Sequence, residues 1–509
     1  MHTLRRSGRL GLLILSMAAL ALAATPRPKL VLAIVVDQFR YDYLTRFRGE
    51  YHAGFDRLLT KGAVFTNAQY EHAPTVTAIG HSTVLTGATP SLSGIVGNDW
   101  YDREAGKTVT SVGDDTVKGL GGSGEGASPR RLLVSTVGDE LKIARGGSKV
   151  VGISLKDRSA ILPAGHMADG AYWFDARSGN FVSSTYYFPD LPAWVKDYNA
   201  SRPADRYRGA RWLDHAMPSE TPKLYAAVEG SPFGNELVEG FAERAIQAEQ
   251  LGQRDATDVL TVSFSSNDFV GHAMGPDSPE VKEMSIQTDR VIGKLFHFLD
   301  SAVGMGNVLV IMTGDHGVAP LPEVQARRRM PGGRMAPGII QKTVQAALTE
   351  KYGEGKWIVS PSEHSFYLNQ DLIRQKNLSQ ADVDNAAADA LRRIPHVFRV
   401  YTREMLNTGM VQEDQVSRAL TNGFYGPRSP DLYILPEPYW LFQSGGTTHG
   451  SPFGYDAHVP VIFMGPGIRP GRFNGPIVVN DIAPTLATYL DVETPSGSVG
   501  RCLAEILAE

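Results

Sequence analysis

The sequence predicts an α/β fold with a largely parallel central sheet flanked by helices. Three observations predict it. Long apolar, β-rich runs recur at residues 29–40, 148–158, 257–268 and 307–317. They alternate with stretches of helical periodicity, the rhythm of parallel sheets with helical crossovers. Each run is continuously apolar rather than alternating, as expected for strands buried on both faces. Each also ends on charged residues: Asp37, then Lys156-Asp157-Arg158, Asp268 and Asp315. In open α/β sheets, ligands bind outside the carboxyl ends of the strands.

The elements follow in order. Residues 51–72 read as a helix and a strand. Residues 72–100 are rich in Thr, Ser and Gly, with a helix expected to begin near Thr77. Such a start places hydroxyls in the positive field of a helix N-terminus, which favours an anion there. Residues 131–147 read as one amphipathic helix. From about 160 to 225 the periodicity is poor, apart from a hairpin turning at Ser178-Gly179 and a short helix at 189–199. This stretch is expected to be an insertion that caps the sheet. Residues 235–251 form a helix, and 278–303 a longer one opened by Ser278 and Pro279. Residues 321–338, with Arg327-Arg328-Arg329, read as a mobile, solvated loop. Alternating helices and strands at 339–440 suggest an inserted subdomain. Residues 445–465 return to the main sheet, and a helix from near Asp481 closes the fold.

At 509 residues the chain has room for one large α/β domain with insertions. A net charge of -4 and a pI near 6.4 argue against a general nucleic-acid-binding surface. Residues 1–23 carry arginines, then an apolar stretch of about 14 residues, then small residues around Ala23 and Ala24. This is a secretory-signal pattern, too short for the roughly 20 residues that span a bilayer. A catalytic domain over 24–509 is expected in the periplasm or secreted, without a membrane anchor and as a monomer. The single cysteine, Cys502, excludes an internal disulfide and is expected to be a small buried residue.

Four histidines accompany the terminal acids: His272 four residues after Asp268, His316 next to Asp315, and His449 and His458 in a later Gly-rich segment. Acids and imidazoles converging on one sheet edge, without thiolates, suit metal ions of a catalytic centre, zinc above all. The ordered set is Asp37, the TVTAIGHSTVLTG segment, Gly97-Asn98, Lys156-Asp157-Arg158, Asn267-Asp268 with His272, Gly314-Asp315-His316-Gly317 and Thr448-His449-Gly450. It resembles the alkaline phosphatase superfamily. The branch it resembles most is that of bacterial phosphate-irrepressible alkaline phosphatases with a threonine nucleophile, related to type I phosphodiesterases and nucleotide pyrophosphatases.

The resemblance implies an alkaline phosphatase-like fold and two zinc ions per chain. One would be held by Asp268, His272 and His449. The other would be held by Asp37, Asp315 and His316, with the hydroxyl of Thr77. It further implies that Thr77 is the nucleophile, that Asn98, Lys156 and Arg158 bind the phosphoryl group, and that Lys156 stands where other branches hold magnesium. Thr75 is the alternative nucleophile and His458 the alternative ligand. His72 and His81 are expected to be packing or supporting groups.

The expected substrates are small phosphate monoesters, since Lys156 and Arg158 would match the higher charge of a terminal phosphoryl group. A phosphodiesterase or nucleotide pyrophosphatase of the same superfamily is the alternative, and a non-catalytic phosphate-binding protein a weaker one. A sulfatase is disfavoured by the lack of a Cys/Ser-x-Pro-x-Arg segment. Leaving-group selectivity is expected from residues 160–225 and the loop after Gly317.

Overall fold

The computed structural model describes residues 27–508 except 123, 362 and 363, so the expected signal segment lies outside the described residues. Eight strands build the body of the central sheet: β1 (Leu30–Val36), β2 (Ala63–Gln69), β3 (Val150–Ser154), β4 (Gly170–Asp175), β5 (Asn180–Ser184), β6 (Asp258–Phe264), β7 (Val308–Gly314) and β8 (His458–Met464). Four further strands at the two edges bring the described total to twelve. The spatial order of the body is β2-β8-β7-β1-β6-β3-β4-β5. The run β7-β1-β6-β3-β4 is parallel throughout. β8 enters antiparallel between β7 and β2.

β1 lies at the centre, and every residue in it is buried. Leu30, Leu32, Ile34 and Val36 face one core; Val31, Ala33 and Val35 face the other. This two-sided burial is why its sequence is continuously apolar. The first core is covered by helices α1 (Gly54–Lys61), α5 (Pro232–Glu249) and α7 (Pro279–Ala302). The second is covered by α2 (Thr77–Thr86), α3 (Val137–Ala144) and α8 (Ile482–Leu490). α4 (Asp157–Ala164) packs Ala160, Ile161 and Leu162 with Ala78 and Ile79 of α2. α6 (Ser266–Met274) follows β6 directly.

Several expectations shift. The helix read over 131–147 begins only at Val137, because Thr136 and Asp139 form a capping box that ends the preceding loop. β6 ends at Phe264, so Asp268 belongs to the first turn of α6 and not to the strand end. The hairpin turns where expected, with Gly179 at φ 74°. Its first strand, β4, pairs in parallel with β3, so this part of the 160–225 stretch lengthens the sheet rather than capping it. The 321–338 segment contains a helix (Pro322–Arg327) and a short strand (Gly333–Arg334). Ion pairs Arg328–Asp277 (3.1 Å) and Arg334–Glu323 (2.6 Å) fasten it, so its arginines are not all solvated. Cys502 is half-buried, not buried.

Within 339–440, strands Ile358–Pro361, Ser365–Leu368, Leu432–Pro436 and Val397–Thr402 pair antiparallel in that order, separately from the main sheet. They share a core of their own with helices Ile339–Tyr352 and Gln380–Leu391, around Trp357 and Phe366. We refer to this region as the accessory unit. Among the described residues no helix is long and apolar enough to cross a membrane.

The start of α2 rests directly on the end of β7. A Cβ built on Gly80 would lie 2.7 Å from Asp315 Cβ, with the Asp315 backbone closer still. Gly80→Ala is therefore expected to cost about 1–3 kcal/mol of stability through overpacking. A lower urea midpoint at constant m-value would register this; an unchanged midpoint would mean that α2 moves freely against β7.

Candidate active site

The parallel registers bring the sequence-predicted residues together. Val36 is level with Phe264 and Gly314, so the residues after β1, β6 and β7 leave the sheet at one edge. Asp37 and Asp315 are fully buried there, and Asp268 is 5% exposed. Lys156, just before α4, reaches between two of them: its Nζ donates to Asp37 Oδ2 (2.7 Å) and Asp268 Oδ2 (2.6 Å). His272 lies one helical turn beyond Asp268, its Nε2 3.1 Å from Asp268 Oδ1. His316 Nε2 is 3.5 Å from both Asp37 Oδ1 and Asp315 Oδ2. Thr77 opens α2 with its Oγ1 3.4 Å from His316 Nε2.

The other hydroxyls of the Thr77 segment are engaged elsewhere. Thr75 donates to Ser451 O, while Ser82 and Thr83 both donate to Ile79 O. His458 sits apart, bonded to Thr66 O (3.0 Å) and stacked on Tyr41. His81 has Nδ1 2.9 Å from Thr77 O and Nε2 2.8 Å from Ser263 Oγ. Burial lowers its pKa to about 4. It is neutral, with one proton, which goes to Thr77 O although Asp315 Oδ2 is 3.1 Å away. His72 is buried against Tyr70, and neither ring nitrogen has a partner among the described residues.

Two groups of side chains have ligand atoms within 4.8 Å of one another: Asp37, Asp315 and His316, and Asp268, His316 and His449. The second differs from the expected sorting by containing His316 where His272 was expected. The His316 and His449 rings stack at 3.6 Å, which puts His316 in both. Three features fit these groups to metal ions. Asp37 Oδ1 and Asp315 Oδ2 are buried without a hydrogen-bond partner among the described residues. All the donors are oxygen or nitrogen, as in catalytic zinc sites. Finally, His272, His316 and His449 each place Nδ1 2.7–2.9 Å from a backbone carbonyl, of Thr447, Gly317 and Thr75 respectively. That bond fixes the tautomer and leaves Nε2 free as the ligating atom.

The protein alone leaves these charges strained. Burial, reinforced by the Asp37 carboxylate beside it, holds the Asp315 carboxyl well above the usual range. Burial works the same way on Asp268 but is outweighed by Lys156, His272 and His449, which hold it well below. Burial pushes His316 down to about 3 and His449 well below the usual imidazole value, so both are neutral. Burial opposes protonation of His272 too, but Asp268 prevails and raises it to about 9. Lys156 likewise overcomes its burial through Asp268 and Asp37 and stays charged.

Asn98 lines a cavity next to the site, whereas Arg158 is not among its lining residues. Asn98 Oδ1 accepts from Ala78 N (2.8 Å), which leaves the amide NH₂ as its free donor. Arg158 is the second residue of α4, and its buried Nε has no partner among the described residues. The cavity, of about 330 Å³, is lined by Asn98, His272 and His449 together with Tyr101, Tyr367 and Tyr433. Two of these tyrosines come from the accessory unit. No lining residue of this cavity comes from 160–225 or the loop after Gly317, although that loop bonds the His449 segment through Ala319 N to Thr448 O (3.1 Å).

Sequence reasoning missed Gln38. Its backbone N–H donates to Asp315 Oδ1 (2.9 Å) and its side chain to Asp268 Oδ1 (2.6 Å), bracing two acids at once. Its place next to Asp37 was the available signal. It also missed Asp456, whose Oδ2 accepts from Ser451 N (2.9 Å) and Oγ (2.6 Å) while its backbone O accepts from Gly317 N (2.6 Å). Asp456 thus ties the loop carrying His449 to the one carrying His316.

The sheet, its acid-lined edge and the threonine at the start of α2 define a hydrolase-like centre of one known family. The chain belongs to the type I phosphodiesterase / nucleotide pyrophosphatase family, which residues 31–456 match. Alkaline phosphatase PafA of Elizabethkingia meningoseptica is 38% identical over 98% of this chain and 98% of that protein. Alkaline phosphatase PhoV of Synechococcus elongatus is 36% identical over 94% and 93% of the two chains. The crystal structure of wild-type PafA superposes with a TM-score of 0.89 at 36% identity, over 95% of this chain and 100% of that one. Murine ectonucleotide pyrophosphatase / phosphodiesterase 5 shares the fold, with a TM-score of 0.52 at 16% identity over 94% and 100% of the chains.

Burial raises the Asp456 carboxyl to about 7. A raised acid adds stability at low pH that disappears as pH climbs from the unfolded carboxylate value, about 3.9, toward the folded one. Asp456→Asn cannot titrate. The stability of wild type relative to this variant is therefore expected to fall between about pH 4 and pH 7. Urea midpoints across that range measure it, and a constant difference would refute the assignment.

Proposed function

We propose that this chain, a phosphatase, works as an exported, zinc-dependent alkaline phosphatase that hydrolyses phosphate monoesters through a phosphothreonine intermediate. The observation that carries the reading is the meeting of Thr77 Oγ1, the two acid–imidazole groups and Lys156 at one buried sheet edge. The alkaline phosphatase names of the full-length relatives support it.

Asp268, His272 and His449 would hold one zinc; Asp37, Asp315, His316 and the Thr77 hydroxyl would hold the other. Bound there, zinc would supply Lewis acidity and positive charge for in-line phosphoryl transfer. The Thr77 oxygen attacks phosphorus, the P–O bond to the alcohol breaks, and the alcohol departs. Water then hydrolyses the phosphothreonine and regenerates the hydroxyl. The Asn98 NH₂ donates to a nonbridging oxygen. Lys156, held protonated between Asp37 and Asp268, and Arg158 offset the charge of the terminal phosphoryl group.

A phosphodiesterase is the second reading, favoured by the family match itself. An aryl phosphate monoester and the matching diester, assayed on zinc-loaded protein, separate the two. The monoester is expected to be preferred. Thr77→Ala is expected to lose on the order of 10³-fold or more of kcat, and Lys156→Ala to lose more on the monoester than on the diester. A diester preference would overturn the monoesterase reading, and full activity in Thr77→Ala would overturn the nucleophile. Bound zinc is expected near two per chain, falling in His316→Ala, as read by elemental analysis.

A further inference from the structure

The cavity beyond Asn98 and His449 is lined by polar groups with no role so far. One of them is His364, from the accessory unit. Its Nε2 is buried without a hydrogen-bond partner among the described residues. The ring lies against the loop that carries His449: a Cβ built on Gly450 would be 3.8 Å from His364 Nε2. Phe442 packs edge-on against the ring, with centroids 5.2 Å apart. Burial lowers its pKa to about 4, opposed by the Ile434 backbone, whose N–H donates to His364 O (2.8 Å). His364 is therefore a neutral imidazole, and its unpartnered Nε2 gives or takes one hydrogen bond according to the tautomer.

The neighbouring tyrosines offer the opposite character. Tyr367 Oη donates to Arg428 O (2.7 Å) and Tyr433 Oη to Ser429 Oγ (3.4 Å). Their hydroxyl protons are committed away from the cavity, which leaves ring surface along the wall. Tyr101 packs beside Tyr367, with ring centroids 5.7 Å apart. An unpaired buried polar nitrogen costs free energy until it meets a hydrogen-bonding partner, and aromatic faces favour flat, C–H-bearing surfaces. A leaving group suited to both is a saturated ring carrying hydroxyls. The volume, about 330 Å³, lies near the low end for small-molecule pockets, which favours one ring over a larger group.

We infer that this cavity is a leaving-group subsite for sugar phosphates, with His364 Nε2 hydrogen-bonded to a sugar hydroxyl and Tyr101, Tyr367 and Tyr433 lining the ring. The inference rests on the phosphomonoesterase reading and names the substrate class of that same site. His364 is then a specificity-determining residue whose effect depends on the leaving group.

The test compares kcat/KM for glucose 6-phosphate and cyclohexylmethyl phosphate, which keeps the ring and the CH₂–O–P linkage but has no hydroxyl. Wild type is expected to favour the sugar ester by about tenfold or more. His364→Ala is expected to cut that ratio about tenfold. His364→Gln, which can place an amide group near the Nε2 position, is expected to restore most of it. A ratio unchanged in His364→Ala overturns the subsite. So does an equal loss on both esters that Gln does not rescue, since that is what a purely structural role would give. A wild type that cleaves an aryl diester but neither monoester overturns the phosphomonoesterase reading and the subsite with it. A wild type that cleaves both monoesters with a ratio near one overturns the subsite alone.

Discussion

Three carboxylates share one buried edge of the sheet, and the surrounding structure is arranged to make that tolerable. Asp37, Asp268 and Asp315 are all within 5% of complete burial. Burying charge without partners is strongly unfavourable. Lys156 offsets part of it by bridging Asp37 and Asp268, and Gln38 donates to both Asp268 and Asp315. Asp37 Oδ1 and Asp315 Oδ2 nonetheless stay without hydrogen-bond donors among the described residues. These unpartnered oxygens, beside the neutral imidazoles of His316 and His449, form an oxygen and nitrogen donor set suited to metal ions.

That edge was legible in the sequence because its cause is local. β1 and β7 are buried on both faces, so their residues form unbroken apolar runs, and the first charged residue after each run marks the edge. The same logic slipped at Asp268. The polar residues after Phe264 looked like the end of a strand, whereas they open α6, and the i, i+4 spacing to His272 is helical. The late start of α3 had a readable signal in Thr136-x-x-Asp139, which hydrophobic periodicity alone passes over. The accessory unit's share in the cavity was not legible. Tyr367 and Tyr433 lie some 300 residues from Asn98 in sequence, and only tertiary packing brings them together.

The accessory unit is joined to the catalytic edge by a definite contact. Arg103 lies just past Asn98 and bonds Asp431 Oδ1 (2.8 Å) and Ser429 O (2.9 Å) while its guanidinium covers the Tyr367 ring at 4.9 Å. Asp431 in turn accepts from Leu368 N (2.8 Å), inside the accessory sheet. The segment that carries Asn98 and the aromatic residues of the accessory unit are therefore joined by one ion pair and its hydrogen bonds. The two sides of the cavity keep their spacing through polar geometry as well as apolar packing.

The three histidines of the site are all oriented by main-chain carbonyls rather than by acidic side chains. A carbonyl belongs to the backbone, so no substitution of Thr447, Gly317 or Thr75 removes it. The aim of each imidazole is encoded in the path of a loop rather than in the identity of a supporting residue. Side chains around the site can thus drift, and leaving-group preference with them, while the hydrolytic centre keeps its shape. Lineages that change substrate would be expected to spend their substitutions on the accessory wall and to conserve loop length and backbone conformation near the imidazoles.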